Sequence, residues 1–402
     1  MIRPGGSTFD MRHWDGLSGK DLVDKGVLPQ CEGLYAWQQP SVDAVLISHA
    51  HIDHYGFLNH VHPDIPVYLS EGTHKLIDVT STFGRNIYTL RNTLNFSWPC
   101  RFPIGAFTIK PHLVDHSSFS AFAFEFEANG KRVFYSGDFR EHGYLKKAMK
   151  ILYREVRPGV DALIMEGTLL GRKDEQNQTE AALSKEAAKL CKDSKKAILI
   201  YQSGQNISRA FSFFMAARQS KRLFVPDVYT AHVLAEMGNC RGGENLPYPG
   251  KVGFDDVRVW YPHKLTQRLH NINHGDIPLR YYSRELRKPE MPSILDKIML
   301  FVRPGMETEL RTIEGLEGST LIYSLWEGYR RGENTRSFLE TVEELGIKVV
   351  SLHTSGHADI PALENMTKKL QPKQIVPIHT LHADQYEQIF EFPVTREEYI
   401  EI

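Results

Sequence analysis

The chain has 402 residues, with 48 Lys and Arg against 49 Asp and Glu for a formal net charge of −1, and 41% of it is hydrophobic. At roughly 100–200 residues per domain this length calls for two or three units with real cores. The balanced charge excludes binding to nucleic acid through a global positive field, and the ordinary apolar share excludes disorder as the main state.

Short β-rich runs come first: Ala44-Val45-Leu46-Ile47-Ser48, Pro66-Val67-Tyr68-Leu69, Ala106 to Lys110, Ser120 to Glu127 and Lys131 to Ser136. The last two are joined through Asn129-Gly130, a strong hairpin signal between alternating strands. From Asp161 the pattern turns to strand and helix in alternation. Ala162 to Met165, a helix from Glu180 to Lys192, Ala197 to Tyr201, a helix from Ile207 to Arg218, and Leu223 to Val225 read as βαβ units on a parallel sheet. Between Gly238 and Pro292 periodicity is lost, and this part reads as an elaboration on the second unit. Alternation resumes with Ile298 to Val302, Leu321 to Ser324, a helix near Thr335 to Leu345, Val349 to Leu352, a helix from Ile360 to Leu370, and Ile375 to Ile378.

The chemistry concentrates in Ser48-His49-Ala50-His51-Ile52-Asp53-His54, directly after an apolar strand. Three imidazoles and a carboxylate so close together are hard to explain as packing, because each buried polar group would need its own partner. They suit a zinc-type divalent ion, which takes imidazole nitrogen and carboxylate oxygen. Asp115-His116-Ser117, Ser136-Gly137-Asp138 and Pro377-Ile378-His379 each stand where another apolar strand ends. Singly, each would pass as a turn or cap residue; their common placement points to one shared site. The four cysteines, Cys31, Cys100, Cys191 and Cys240, are widely spaced and suggest neither a disulfide framework nor a thiolate zinc site.

His49, His51, Asp53 and His54 complete the His-x-His-x-Asp-His signature, and the chain resembles the metallo-β-lactamase fold. The resemblance implies that His49, His51 and His116 hold one metal, that Asp53, His54 and His379 hold a second, and that Asp138 bridges them. It also implies two Zn²⁺, with Mn²⁺ as the alternative, generating a hydroxide near neutral pH. Met165-Glu166-Gly167-Thr168, Thr354-Ser355-Gly356-His357-Ala358-Asp359 and the His379 segment resemble the three further motifs of the nucleic-acid-processing β-CASP branch. Ser203-Gly204-Gln205-Asn206-Ile207-Ser208-Arg209 resembles the RNA-contacting helix start of ribonuclease J-like members.

The expected fold is therefore α/β: a metallo-β-lactamase αββα sandwich (residues 1–178 and 346–402) with an inserted β-CASP-type domain over residues 179–345. The expected function is hydrolysis of RNA, endonucleolytic or from the 5′ end, with His379 tilting the choice to RNA over single-stranded DNA. The rivals are a small-ester or lactone hydrolase of the same fold and a weakly active nucleic-acid-binding scaffold.

Asp53, His357 and Glu166 are the expected catalytic residues. His357 would steady the scissile phosphate or protonate the leaving oxygen, and Glu166 would accept from a ligand imidazole. Ser355, Gly356, His357, Asn206 and Arg209 are the expected substrate contacts, since glycine and a helix start let backbone N–H groups approach an anion. Arg258 to Lys288 carries seven basic and two acidic residues among Trp260, Tyr261, Tyr281 and Tyr282, and reads as a local RNA-binding stretch.

The opening Met1-Ile2-Arg3-Pro4-Gly5-Gly6 lacks the apolar core of a signal peptide, and no run of roughly 18–20 apolar residues spans a bilayer, so a cytoplasmic protein without a membrane partner is expected. A dimer is a plausible assembly. The family's opening strands are expected to be trimmed or lost here, with Asp10 standing for the aspartate that ends them.

Overall fold

A computed structural model of the chain describes residues 16–84, 88–172, 177–397 and 402. Asp10 lies outside the described residues. The chain divides into two compact units, one of Met1–Ile77, Tyr88–Glu175 and Gly356–Ile402, the other of Asp78–Ile87 and Gln176–Ser355.

The first unit holds two sheets. A small parallel sheet is built from β1 (Val45–Leu46), β2 (Val67–Leu69) and β3 (Thr93–Asn95). A six-stranded sheet runs β14-β8-β7-β6-β5-β4 from β4 (Phe102–Ile104), β5 (Phe107–Leu113), β6 (Phe122–Ala128), β7 (Lys131–Tyr135), β8 (Ala162–Glu166) and β14 (Ile375–Ile378). β4 to β7 are antiparallel, and β7, β8 and β14 are parallel. The β6–β7 turn uses the expected Asn129-Gly130, with φ of 50° and 75°, the double positive φ that a two-residue hairpin needs to match strand twist.

Between the sheets, Phe96, Ile104, Ile109, Phe122 and Phe124 pack with Leu46 and Tyr68. On the outer face of the large sheet, Phe134, Leu163 and Met165 meet Met149 and Leu152 of the helix Lys146–Glu155 and Leu363 and Met366 of the helix Ile360–Leu370. This is the layered α/β sandwich expected from the sequence.

The second unit is a five-stranded, all-parallel sheet in the order β10-β11-β9-β12-β13, made of β9 (Ile198–Tyr201), β10 (Leu223–Val225), β11 (Ile298–Phe301), β12 (Thr320–Tyr323) and β13 (Lys348–Ser351). Its strands are near-continuous apolar runs because both faces are covered. Leu199, Leu300 and Leu321 pack under Phe338 and Val342 of the helix Glu333–Glu344. On the other face Phe301 meets Phe213 and Phe224 edge-on, at ring centroids of 6.5 and 5.1 Å.

The basic stretch 258–288 is mixed in exposure, with Lys264, Arg280, Tyr282, Arg287 and Lys288 exposed. Trp260 and Tyr281 are buried, and the Trp260 indole N–H donates to the Phe301 carbonyl at 2.8 Å. Arg280 pairs with Glu236 at 2.7 Å, Arg284 with Asp255 at 2.9 Å and Arg287 with Glu285 at 3.6 Å, while Arg268 donates to the carbonyls of Phe83 and Gly84. Arg268, Arg280, Arg284 and Arg287 are thus matched by acceptors of their own unit and the rings of Trp260 and Tyr281 are withdrawn from stacking, which corrects that part of the expectation, while Lys264, Tyr282 and Lys288 stay exposed.

Candidate metal centre

The site is assembled at strand ends of the first unit. β1 leads into His49 and His51, and the short helix Ile52–Tyr55 that follows carries Asp53 and His54. His116 follows β5 and Asp138 follows β7. Glu166 ends β8 and His379 follows β14, so Asp138, Glu166 and His379 leave the carboxyl ends of three adjacent parallel strands. Gly137 makes the exit from β7 possible. Its φ is +55°, and a Cβ there would lie 2.7 Å from the Phe122 carbonyl oxygen, so only glycine fits. Phe122 N–H in turn donates to the Ser48 carbonyl at 3.0 Å, which ties the His49 loop to β6.

Three imidazole nitrogens converge. His49 Nε2 lies 3.2 Å from His51 Nδ1, which lies 3.0 Å from His116 Nε2. The opposite nitrogens are engaged: Ser48 Oγ sits 3.1 Å from His49 Nδ1, and His116 Nδ1 donates to the Gly356 carbonyl at 2.6 Å. Donors held 2.0–2.1 Å from one tetrahedral ion stand about 3.3 Å apart, so this spacing suits a common cation. Asp138 completes the group, with all four donor atoms within 4.8 Å of one another.

A second group, Asp53, His54 and His379, meets the same bound. His379 Nε2 is 3.1 Å from Asp53 Oδ2, and His54 Nε2 is 3.1 Å from Asp138 Oδ2. Asp138 Oδ2 thus touches both groups, while its Oδ1 is buried with no hydrogen-bond partner among the described residues. A buried carboxylate oxygen left unpaired is costly, and a cation satisfies it.

Electrostatics separate the two groups. Burial, aided by neighbouring imidazoles, holds His49 and His116 well below the ordinary histidine value, and burial takes His51 to about 4 against the pull of Asp53 and Asp138. These three are neutral at pH 7, the state in which imidazole ligates. Burial also disfavours charge on His379, but the hydrogen bond to Asp53 and the Asp138 and Glu166 carboxylates raise it to about 9. Burial would raise Asp138, yet the His54 and His357 charges hold it well below the carboxylate range.

Glu166 is wholly buried. It accepts from Phe139 N–H at 2.7 Å, from His357 Nδ1 at 3.0 Å and from the Thr168 hydroxyl at 2.8 Å. It therefore holds His357 directly and reaches the imidazole of His379 only through Thr168. Gly356 approaches the His116 loop closely, since a Cβ on it would stand 2.5 Å from Ser117 Oγ, and its carbonyl orients His116. Ser355 is buried.

Arg209 departs from the expectation of a phosphate contact. It is fully buried, and its guanidinium is spent on Glu180 at 3.0 Å, the Thr354 carbonyl at 2.8 Å and Ser324 Oγ at 2.5 Å, so it serves the interior of the second unit. Asn206 caps the helix Ile207–Gln219, its side chain accepting from Arg209 N–H at 3.0 Å.

Sequence reasoning missed Thr168 and the pair Asp115–Arg140. Asp115 accepts from Arg140 Nε at 2.9 Å and from Leu145 N–H at 2.6 Å, and its carbonyl accepts Arg140 N–H at 2.7 Å, which locks the His116 and Asp138 loops together. The adjacency of Asp115 to His116 was visible; the partner was not.

Comparison with known proteins bears on this arrangement. Residues 22–202 match the family described as beta-lactamase superfamily domain, and residues 344–391 the family described as Zn-dependent metallo-hydrolase RNA specificity domain. The chain is 24% identical over 391 residues to a Ribonuclease J of Sinorhizobium meliloti, covering 92% of this chain and 63% of that protein, so it spans less than two thirds of that relative's length. A crystal structure of a protein of unknown function from Enterococcus faecalis V583 shares the fold, with a TM-score of 0.73 and 20% identity over 97% of this chain and 90% of the other. The side chains that meet around Asp138 come from both matched segments, and the chain carries a beta-lactamase superfamily domain together with a Zn-dependent metallo-hydrolase RNA specificity domain, a pairing consistent with the ribonuclease J-like β-CASP family.

Proposed function

We propose that the chain is a two-metal phosphodiesterase that hydrolyses RNA, with zinc as its metal and manganese as the alternative. The observation that carries this reading is the meeting, at one buried aspartate, of donors from the segment matching a beta-lactamase superfamily domain with His379 from the segment matching a Zn-dependent metallo-hydrolase RNA specificity domain. The similarity to a Ribonuclease J supports the same substrate. Residues 179–345 would form the inserted β-CASP-type domain.

His49, His51 and His116 would hold one ion, Asp53, His54 and His379 the other, and Asp138 both. Ions of this kind activate a water near neutral pH and neutralise charge on a departing oxygen. His357 is the proton donor in this scheme. Glu166 accepts its Nδ1–H at 3.0 Å and fixes the ring, and the Glu166 and Asp138 carboxylates oppose the effect of burial and raise its pKa, so it keeps a proton for the leaving oxygen. Asp53 orients His379 through their 3.1 Å contact.

The test is cleavage of 5′-labelled single-stranded RNA beside matched DNA, with and without added zinc or manganese, using Asp53→Ala and His357→Ala as controls. Metal-dependent loss of RNA only with the unsubstituted protein is expected. Release of labelled mononucleotide would mark 5′-exonuclease action, and internal fragments endonuclease action. Turnover by the chelated protein would overturn the metal mechanism. No cleavage of either polymer by protein carrying two metals would favour the small-ester hydrolase.

A further inference from the structure

We propose that Thr168 is a positioning residue that sets the tautomer of His379 and so makes Nε2 a ligand. The inference rests on the reading of Asp53, His54 and His379 as a metal-holding group. Thr168 lies two residues beyond the end of β8, and its hydroxyl oxygen contacts three groups: Glu166 Oε2 at 2.8 Å, His379 Nδ1 at 2.6 Å and the His379 carbonyl oxygen at 3.2 Å.

A hydroxyl has one proton to give and lone pairs to accept with. Glu166 Oε2 belongs to a carboxylate and offers only lone pairs, and it is the shorter of the two acceptor contacts as well as the charged one. The hydroxyl proton therefore goes to Glu166. The contact to His379 Nδ1 then requires the imidazole to donate, so the Nδ1 proton is held in place, and the Nε2 proton given to Asp53 Oδ2 is the one a cation would displace, leaving the lone pair on Nε2. That is the nitrogen standing 3.1 Å from Asp53 Oδ2, on the side where the donor group converges.

Glu166 cannot rotate away from this duty. Phe139 N–H holds its Oε1 at 2.7 Å, His357 holds Oε2 at 3.0 Å, and its own N–H donates to Ser136 Oγ at 3.1 Å. The backbone of His379 is also constrained, with φ of +52°, a region a non-glycine residue keeps only when its surroundings over-determine it. With the hydroxyl gone, the Nδ1–H loses its acceptor and the opposite tautomer becomes competitive. In that tautomer Nε2–H donates to Asp53, and the nitrogen is lost to a metal.

Thr168→Val preserves shape and removes both hydrogen-bonding functions, and Thr168→Ser restores them. Metal-free protein is titrated with Zn²⁺ against a chromophoric chelator, alongside unsubstituted protein and His379→Ala. Unsubstituted protein is expected to take two equivalents. Thr168→Val should bind the weaker equivalent about 10–100-fold less tightly while leaving the other unchanged, the range seen when a ligand's outer partner is removed, and Thr168→Ser should stay within about threefold of the unsubstituted protein. Thr168→Val binding both equivalents normally, or both variants losing both equivalents, overturns the role of Thr168. If unsubstituted protein fails to take two equivalents, or His379→Ala binds as it does, the metal-centre reading itself fails.

Discussion

Asp138 is where single-residue chemistry matters most. Its Oδ2 lies 3.1 Å from His54 Nε2, 3.6 Å from His49 Nε2 and 3.9 Å from both His116 Nε2 and His379 Nε2, so one carboxylate serves both donor groups. Asp138→Asn keeps the volume and removes the charge. It is expected to weaken both metal equivalents by more than about 100-fold, beyond the usual loss from an outer partner, as read by chelator competition. Loss of only one equivalent would show that the aspartate does not bridge. The neighbouring residues divide by how they can be read. His49, His51, Asp53 and His54 are legible because a strand exit presents them within one turn of chain. Thr168 is not, because a threonine two residues past a strand end is common and its meaning lies in a partner 211 residues away.

At the scale of elements, local chemistry marks most boundaries. Thr179, Asn206 and Asp359 cap their helices through side-chain oxygens, and Asn129-Gly130 turns the hairpin. What local pattern cannot supply is the cross-link between helices. Arg209 of the helix Ile207–Gln219 and Glu180 of the helix Glu180–Asp193 are both fully buried and paired at 3.0 Å, with Ser212 Oγ also donating to Glu180 at 2.7 Å. From sequence alone Arg209 reads as an RNA contact, because an arginine at a helix start fits either role. Arg209→Met alone strands a buried carboxylate and is expected to cost about 3–5 kcal/mol, whereas Arg209→Met with Glu180→Leu should recover most of the loss. Urea unfolding of the three proteins checks this; a double variant no better than the single would show that the charge left behind is not the problem.

For the whole molecule, each compact unit has its own core, and all of the proposed metal ligands belong to the unit made of Met1–Ile77, Tyr88–Glu175 and Gly356–Ile402. Ligands that bind only the folded state stabilise it by about 2.7 kcal/mol at a hundredfold excess over Kd. Calorimetry is therefore expected to resolve two transitions, of which zinc raises one and leaves the other. Equal shifts of both would mean that the units unfold as one. No helix among the described residues is long and apolar enough to cross a membrane.

The amino-acid order alone was enough to pick out the His-x-His-x-Asp-His motif, the strand and helix succession and the resemblance to a family, because those depend on spacing within a few residues and on apolar period. The partners of Arg209, Thr168, Asp115 and the basic stretch 258–288 were settled only when the chain folded. Each is a polar group whose role depends on which acceptor lies within about 3 Å, and that acceptor comes from a distant segment. Glu166 shows both halves of this division. Its place at a strand end is written locally, and its work, holding His357 and reaching His379 through Thr168, exists only where β8, β14 and the loop before the helix Ile360–Leu370 come together.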